Sequence, residues 1–519
     1  MIKHYLKIAL RSFRRQKVLS GINVLGLSLG LACFILFLLY AVNEFSFDRF
    51  HKQADNIYRV YRWSEAMDGQ DASGDVYLPM PLGPALKQDL PDVQQYVRMQ
   101  EAWGESYVRI NNKVSRIGFS FADPTIFSVF DFKMKSGNAA TALNDIHNVV
   151  LTEKTARQLF GAENPVGKTF EVKWDKEFEP FTVTGIVADP PSNSSVTFDM
   201  MGNFEYLPTT KNGKRSVDNW QRSAYFTFVQ LRPGSTLAKD PNRLLSFRRK
   251  YYPTEEKELR DEGRWKAKGA PVNYGLQPLL TIHTDTKVWG GSIASVDPST
   301  IWLLLAIAGG VLLIACINFT TLAIGRSAAR AREIGIRKVV GSMRFQLMRQ
   351  FLAEAFILTL LSVLLGILLA RLLLPAFNEL AGKELQFSFS QFPEMIWLLA
   401  ALTLLVSLIA GSYPSLVLSS FNPIEVLKQK IKVGGSNFFT RSLVTFQFVL
   451  SIGLIASTMI ILQQVKFMSG KNPGFNKDNM VVVNASGTES KKIYPLFKQE
   501  VVSQPIWRSE ERRVGKECR

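Results

Sequence analysis

Cysteine and histidine are scarce in this chain. Only three cysteines occur among 519 residues: Cys33 and Cys316 inside apolar runs, and Cys518 beside the end. No two of them have metal-ligand spacing, and the polar stretch 44–299 has none, which excludes a disulfide framework there. The four histidines, His4, His51, His147 and His283, are too dispersed to form a ligand cluster. A phosphate-binding loop is missing as well. The nearest approach is Gly161-Ala-Glu-Asn-Pro-Val-Gly-Lys-Thr169, yet that loop needs four residues between its first glycine and the Gly-Lys pair. Here there are five, one of them Pro165, which has no N–H to offer a phosphate. The segment also precedes a strand pattern instead of opening a helix, so it reads as a structural turn. With no Walker motif elsewhere, the chain is not expected to hydrolyse ATP by itself. Nor does a series of carboxylates cross any apolar run, which argues against a proton-driven secondary transporter.

Long apolar runs are what the chain has in quantity. Ile22 to Val42 is the first, and four more follow at roughly 301–325, 350–375, 395–420 and 443–465. Each is long enough to cross a hydrocarbon core of about 30 Å. A cleaved signal peptide competes for the first run, but about 20 apolar residues make a full span and no small-residue cleavage site follows. The net charge of +18 could suggest nucleic acid. Its distribution excludes that, because the cations cluster beside the apolar runs. The loop 326–349 carries seven Lys/Arg and one acidic residue; 376–394 has a single Lys; 421–442 is basic again through Lys428, Lys430, Lys432 and Arg441. Positive loops stay cytoplasmic, so the expected topology is an inside amino terminus, 44–299 outside, and the segment beyond about 466 outside again.

Residues 1–20 read as a basic amphipathic helix for the headgroup layer, with Ile2, Tyr5, Leu6, Ala9, Leu10 and Phe13 on one face and Lys3, Lys7, Arg11, Arg14 and Arg15 on the other. The first span is placed at 21–43. The stretch 44–299 reads as one large α+β domain. Strands are expected at Ile57–Trp63, Phe170–Trp174, Phe181–Val187 and Tyr225–Leu231, and a short helix over Pro84–Leu90. Asn148 to Gly161 should pass from strand to helix, with Thr152 as cap and Gly161 as stop. Pro190-Pro191-Ser-Asn-Ser-Ser195 is a loop. The expected fold class is therefore an α-helical membrane protein of about five spans, with a large α+β extracytoplasmic domain between the first and second.

Between the second and third runs lies Arg326-Ser-Ala-Ala-Arg-Ala-Arg-Glu-Ile-Gly-Ile-Arg-Lys-Val-Val-Gly-Ser342. Apolar Ile334, Val339, Val340 and Met343 interleave with Arg330, Glu333, Arg337, Lys338 and Arg344, a spacing that predicts a short amphipathic helix against the inner membrane face. A solvated positive-inside loop is the plainer alternative. The run Glu-Ile-Gly-Ile-Arg-Lys at Glu333–Lys338, however, resembles the cytoplasmic coupling segment of MacB/FtsX-type ABC transporter permeases. The stretch Leu6–Gly30 and the Leu159-Phe160-Gly161 turn resemble the same family, and the resemblance covers nearly all of residues 1–507. It implies a MacB-like periplasmic core domain at 44–299 and a three-span FtsX-like permease domain at 300–420 containing the coupling segment 326–349. A cytoplasmic linker at 421–442 would lead to a fifth span at 443–465, opening a second repeat whose outer domain starts in 466–507 near Met480–Val483. Residues 508–519 resemble translated sequencing adapter and are expected to be artefactual, with the natural chain continuing past 507.

The resemblance further implies function. A separate cytoplasmic ABC ATPase, which would bind ATP and Mg, is expected to push the coupling segment, and the spans to carry that motion outward. Glu333, Arg337 and Lys338 are the expected ATPase-facing surface, Ile334 part of the same docking segment, and Gly335 and Gly341 sites of close approach. The chain itself is expected to hold no cofactor or metal. Expected partners are the ATPase, membrane lipids, a second permease repeat in a dimer or pseudo-dimer, and a periplasmic adaptor or substrate protein; nucleic acid is not one. The expected location is the bacterial inner membrane. Export (of an antimicrobial peptide, for instance), lipoprotein release and mechanotransmission are all compatible with this reading. The alternative is a membrane-anchored receptor or sensor, but no inner loop exceeds roughly 25 residues, against about 50 for a folded output domain. Inside the spans, Asn318 is expected to act as interhelical glue, and Glu354 to pair with Arg349 at a span end.

Overall fold

The computed structural model describes residues 17–67, 70–102, 106–111, 113–174, 177–291, 294–325, 334–387, 392–420, 438–471 and 490–503. Glu333, most of the amino-terminal amphipathic helix, the linker 421–437, the strand expected at Met480–Val483 and the tail 508–519 lie outside them. By backbone contacts the chain divides into Met1–Ser451 and Ile452–Arg519. The second unit comprises the later part of the fifth long helix and a short helix, Ser490–Ser503.

Among the described residues five helices are long and apolar enough to cross a membrane: Ser20–Phe45, Pro298–Gly325, Arg344–Ala381, Glu394–Leu416 and Thr440–Gly470. The protein is a multi-pass membrane protein. Its bundle core is built from Leu27, Leu31, Ile35 and Leu39 of the first span, Leu312 and Cys316 of the second, Val363 and Ala370 of the third, and Val406 of the fourth. With no water to expel between helices, close approach and interhelical hydrogen bonds hold such a bundle. At Gly30 an added Cβ would stand 2.7 Å from the Ala315 methyl, so these two small residues set how closely the first and second spans lie. Thr320 Oγ1 of the second span donates to the Ala410 carbonyl of the fourth at 3.2 Å.

Between the first two spans the chain folds as an α+β extracytoplasmic domain. Its strands, in spatial order through the middle of the sheet, are Ile57–Ser64, Ser223–Leu231, Val93–Gln100, Phe119–Ala122, Met200–Asn203, Asn148–Thr152, Phe178–Val187 and Thr169–Lys173. Most pairs are antiparallel, but Asn148–Thr152 runs parallel to Phe178–Val187, and Phe119–Ala122 parallel to Met200–Asn203. Ser223–Leu231 is buried on both faces. Phe226 and Phe228 pack with Val97, Phe130 and Met99 on one side, while Val229 and Leu231 pack with Leu82, Leu86, Leu244 and Phe247 on the other. Both covering helices on that second side are therefore part of the core: Leu82–Asp89 and Pro241–Tyr251.

Local signals act as expected. Thr152 Oγ1 accepts the Thr155 N–H, and Gly161 ends that helix at φ +65°. The Gly161–Thr169 segment is a turn: the Gly167 N–H donates to the Val183 carbonyl at 2.8 Å, and the Lys168 ammonium is paired with Glu163. The helix Pro241–Tyr251 was not anticipated. Asp240 caps it by accepting the N–H groups of Asn242 and Arg243, with Pro241 at the first position.

Candidate coupling site

The segment joining the second and third spans is described from Ile334 onward. Residues 334–339 are helical, and Ile334 is buried against Leu347 and Phe351 of the third span. Gly335 is buried beside it. This splits the single apolar face expected from the sequence. Val339 and Val340 follow Ile334 by five and six residues, which at 3.6 residues per turn places them on other faces. Ile334 thus points into the protein, and Val339, Val340 and Met343 are exposed, at 63%, 82% and 70%. Ile336 and Phe345, two residues the sequence reading did not single out, are exposed alongside them.

The helix stops at Gly341. Its φ of +104° is a conformation that a side chain would strain, and among the described residues nothing lies near enough to meet a Cβ there. Within this chain, then, Gly341 is a turn residue. The Gly341 N–H reaches the Lys338 carbonyl and the Ser342 N–H the Arg337 carbonyl, closing the helix end before Met343 starts the third span. The Met343 N–H is in turn accepted by Gln346 Oε1 at 3.2 Å.

Arg337 and Lys338 are half-buried at this turn. Arg337 Nη1 donates to Gln350 Oε1 at 3.0 Å, which pins the short helix to the third span. The Lys338 ammonium is held below its usual range, first by burial and then by the charge of Arg344. Arg349 lies over the Phe345 ring, 5.7 Å from its centre. The segment 336–345 thus exposes five apolar side chains, Ile336, Val339, Val340, Met343 and Phe345, with Arg337, Lys338, Arg344 and Arg349 interspersed along the same stretch. Among the described residues no group of three His, Cys, Asp or Glu could hold a metal ion.

Two other expected residues lie deeper in the spans. Asn318 faces Gly26 of the first span, its amide nitrogen 3.7 Å from where a Cβ would stand there. Together with Cys33, Tyr40 and Phe377 it lines an apolar groove of about 930 Å3 among the first three spans. Glu354 borders a smaller cavity with Asn23, Gly411 and Pro414.

Comparison with known proteins agrees with this layout. A family model described as the MacB-like periplasmic core domain matches residues 20–244, and one described as the FtsX-like permease C-terminal domain matches residues 304–423. The ABC transporter permease YknZ of Bacillus subtilis is 23% identical over 284 residues, 54% of this chain and 61% of YknZ. The macrolide export ATP-binding/permease protein MacB of Vibrio parahaemolyticus is 31% identical over 156 residues, 30% of this chain and 23% of that protein. The MacB of Campylobacter jejuni is 25% identical over 159 residues, and the chain spans 24% of its length. Among solved structures, the periplasmic region of MacB from Actinobacillus actinomycetemcomitans matches 44% of this chain and 91% of that one, with 15% identity and a TM-score of 0.28.

Proposed function

This chain is a MacB/FtsX-like ABC transporter permease, and on that premise we propose that it couples ATP hydrolysis by a separate cytoplasmic ATPase to movement of its outer domain. The observation that carries the proposal is the exposed apolar run at 336–345, fixed to the third span through Ile334 and Arg337 and interspersed with cations. An exposed apolar cluster with a charged rim is what a docking surface requires, since a desolvated apolar centre supplies most of the binding energy and rim charges guide approach. Val339, Val340 and Met343 would supply its centre and Arg337 and Lys338 its rim, with Glu333 the preceding charge in the sequence. ATP and Mg would be held by the partner, whose closure moves the segment as a rigid body. The loop charges support an inside amino terminus and an inside coupling segment. Trp302 and Trp397, both exposed near the amino-terminal ends of the second and fourth spans, suit the outer headgroup layer. The names of the MacB relatives join ATP binding and permease in one protein; in this chain the ATP-binding part would be a partner. A second permease unit, and a periplasmic adaptor or substrate protein, would complete the assembly for export, lipoprotein release or mechanotransmission.

The test is purification of the tagged chain from native membranes together with its ATPase. Val340→Asp and Met343→Asp should each lower ATPase recovery ten-fold or more, while insertion and the melting of the outer domain stay unchanged. Replacing Glu333, Arg337 and Lys338 together should do the same in a salt-dependent manner. Recovery at the unmodified level in all three variants overturns the assignment.

A further inference from the structure

The first span leaves the bilayer at Glu44, whose side chain is fully buried although it is a carboxylate. Two groups from distant parts of the chain meet it. His283, also fully buried and following the 3-10 turn Leu279–Thr281 of the outer domain, places Nε2 2.5 Å from Glu44 Oε2. Lys383, just past the left-handed Gly382 that ends the third span, places Nζ 2.7 Å from Glu44 Oε1. Among the described residues His283 Nδ1 is buried with no hydrogen-bond partner, which places a proton on Nε2, where it is donated to Glu44. Lys383 and His283 thus hold the two oxygens of the buried Glu44 carboxylate separately.

The surroundings hold each group in place. The Phe47 ring stacks on His283 with centroids 3.5 Å apart, and Lys383 Nζ lies 5.9 Å from the ring centres of both Tyr40 and Phe47. The loop that carries Lys383 is tied down by Asn378, whose carbonyl accepts the Lys383 N–H and whose side chain both donates to and accepts from Leu385. On the outer-domain side, the His283 carbonyl accepts the Val296 N–H immediately before the second span. One buried carboxylate therefore joins the exit of the first span, the end of the third, and the outer-domain segment that leads into the second. The neighbouring contacts, Asn43 to Ser192 and Asn193 to Ser46, bind the first span to the Pro190–Ser195 loop alone and reach no other span.

We propose that Glu44, His283 and Lys383 are positioning residues that form a clasp, delivering motion of the third span to the outer domain through Glu44. The argument is electrostatic. A carboxylate this buried is stable only while its partners stay in place, so the third span cannot move away from the outer domain without exposing or stranding it. The third span is also the helix on which the candidate coupling segment rests, through Ile334 and Arg337. The clasp itself is independent of the proposed function; its role in transmission rests on it.

The experiment uses the full chain in lipid nanodiscs, with spin labels at exposed Lys257 and Leu372 and the native cysteines replaced. Without any ATPase, the unmodified chain and Lys383→Arg should give one narrow distance distribution, and Lys383→Met and Glu44→Gln distributions at least twice as wide. Unchanged widths in both latter variants overturn the clasp. With the copurified ATPase, addition of ATP and vanadate should shift the distance in the unmodified chain and in Lys383→Arg. In Lys383→Met the shift should fall at least five-fold while hydrolysis continues, a split that mere loss of structure would not produce. A full shift in Lys383→Met overturns the transmission role. If no ATPase copurifies, the proposed function fails and the clasp is decided by the widths alone.

Discussion

Asp48 and His51 stand three residues apart just past the first span and are shifted in opposite senses. The Asp48 carboxyl is buried; one oxygen accepts the Ser195 N–H at 2.8 Å and the other has no partner, so burial pushes its pKa up to about 6. A carboxyl raised in the folded state favours folding while it is protonated, and that contribution fades as pH climbs from about 4 to 6. A shift of about two units corresponds to roughly 3 kcal/mol. His51 is buried among Phe50, Phe130 and Phe132, and its Nδ1 accepts the Asp131 N–H at 3.0 Å. Burial lowers its pKa to about 4, so its neutral form favours folding above about 6.5 and stability is lost as pH falls toward 4. Between pH 4 and 6 the two slopes nearly cancel. Thermal unfolding of the outer domain should therefore vary little with pH there in the unmodified chain. Asp48→Asn keeps the bond to Ser195 and tolerates the residue's φ of +60°, so it should raise stability at pH 7–8 by about 1–3 kcal/mol and leave a slope that falls toward acid. A variant no more stable than the parent at pH 8 would contradict the buried-carboxylate account. None of this was legible in the sequence. Thr152 and Gly161 could be read because a cap and a stop act within a few residues, whereas the partners of Glu44 and Asp48 are brought in by the fold, His283 from 239 positions away.

Elements were legible where one physical signal dominated them. The spans announced themselves by length and apolarity, and the strand near Tyr225–Leu231 by a continuous β-rich run. The helix Pro241–Tyr251 did not, because Arg248, Arg249 and Lys250 interrupt its apolar face and Arg248 is itself buried. That arginine is held by Glu255 and by the rings of Tyr252 and Tyr274, 4.2 and 4.8 Å from its guanidinium carbon, a set of contacts no periodicity reveals. The candidate coupling segment departs from its expected pattern: one apolar face was read where the turn at Gly341 and the burial of Ile334 create two. Helix approach in the bundle gives a direct test at this scale. Gly30→Leu drives a side chain into the Ala315 methyl and should lower the melting temperature of the detergent-purified chain, at a cost of about 1–3 kcal/mol from overpacking. Adding Ala315→Gly should recover much of that loss. A double variant as unstable as the single one would show that the first and second spans are not spaced by this contact.

For the whole molecule, the sequence carries orientation and the fold carries connection. Charge is spread so that the loop between the second and third spans is strongly basic while the loop between the third and fourth keeps one lysine, Lys383. That lysine is paired with the buried carboxylate of Glu44 at the end of the first span. Accessibility separates the two faces experimentally. With the native cysteines replaced, a cysteine at exposed Lys257 should react with a membrane-impermeant maleimide on intact spheroplasts, whereas one at Val340 should react only after permeabilisation. Co-expression of the cognate ATPase should then slow labelling at Val340 several-fold and leave Lys257 unchanged, since docking buries the exposed apolar run and not the outer domain. Labelling of Val340 from outside would invert the topology. Equal rates at Val340 with and without the ATPase would instead move the docking surface away from 336–345 while leaving the orientation of the chain intact.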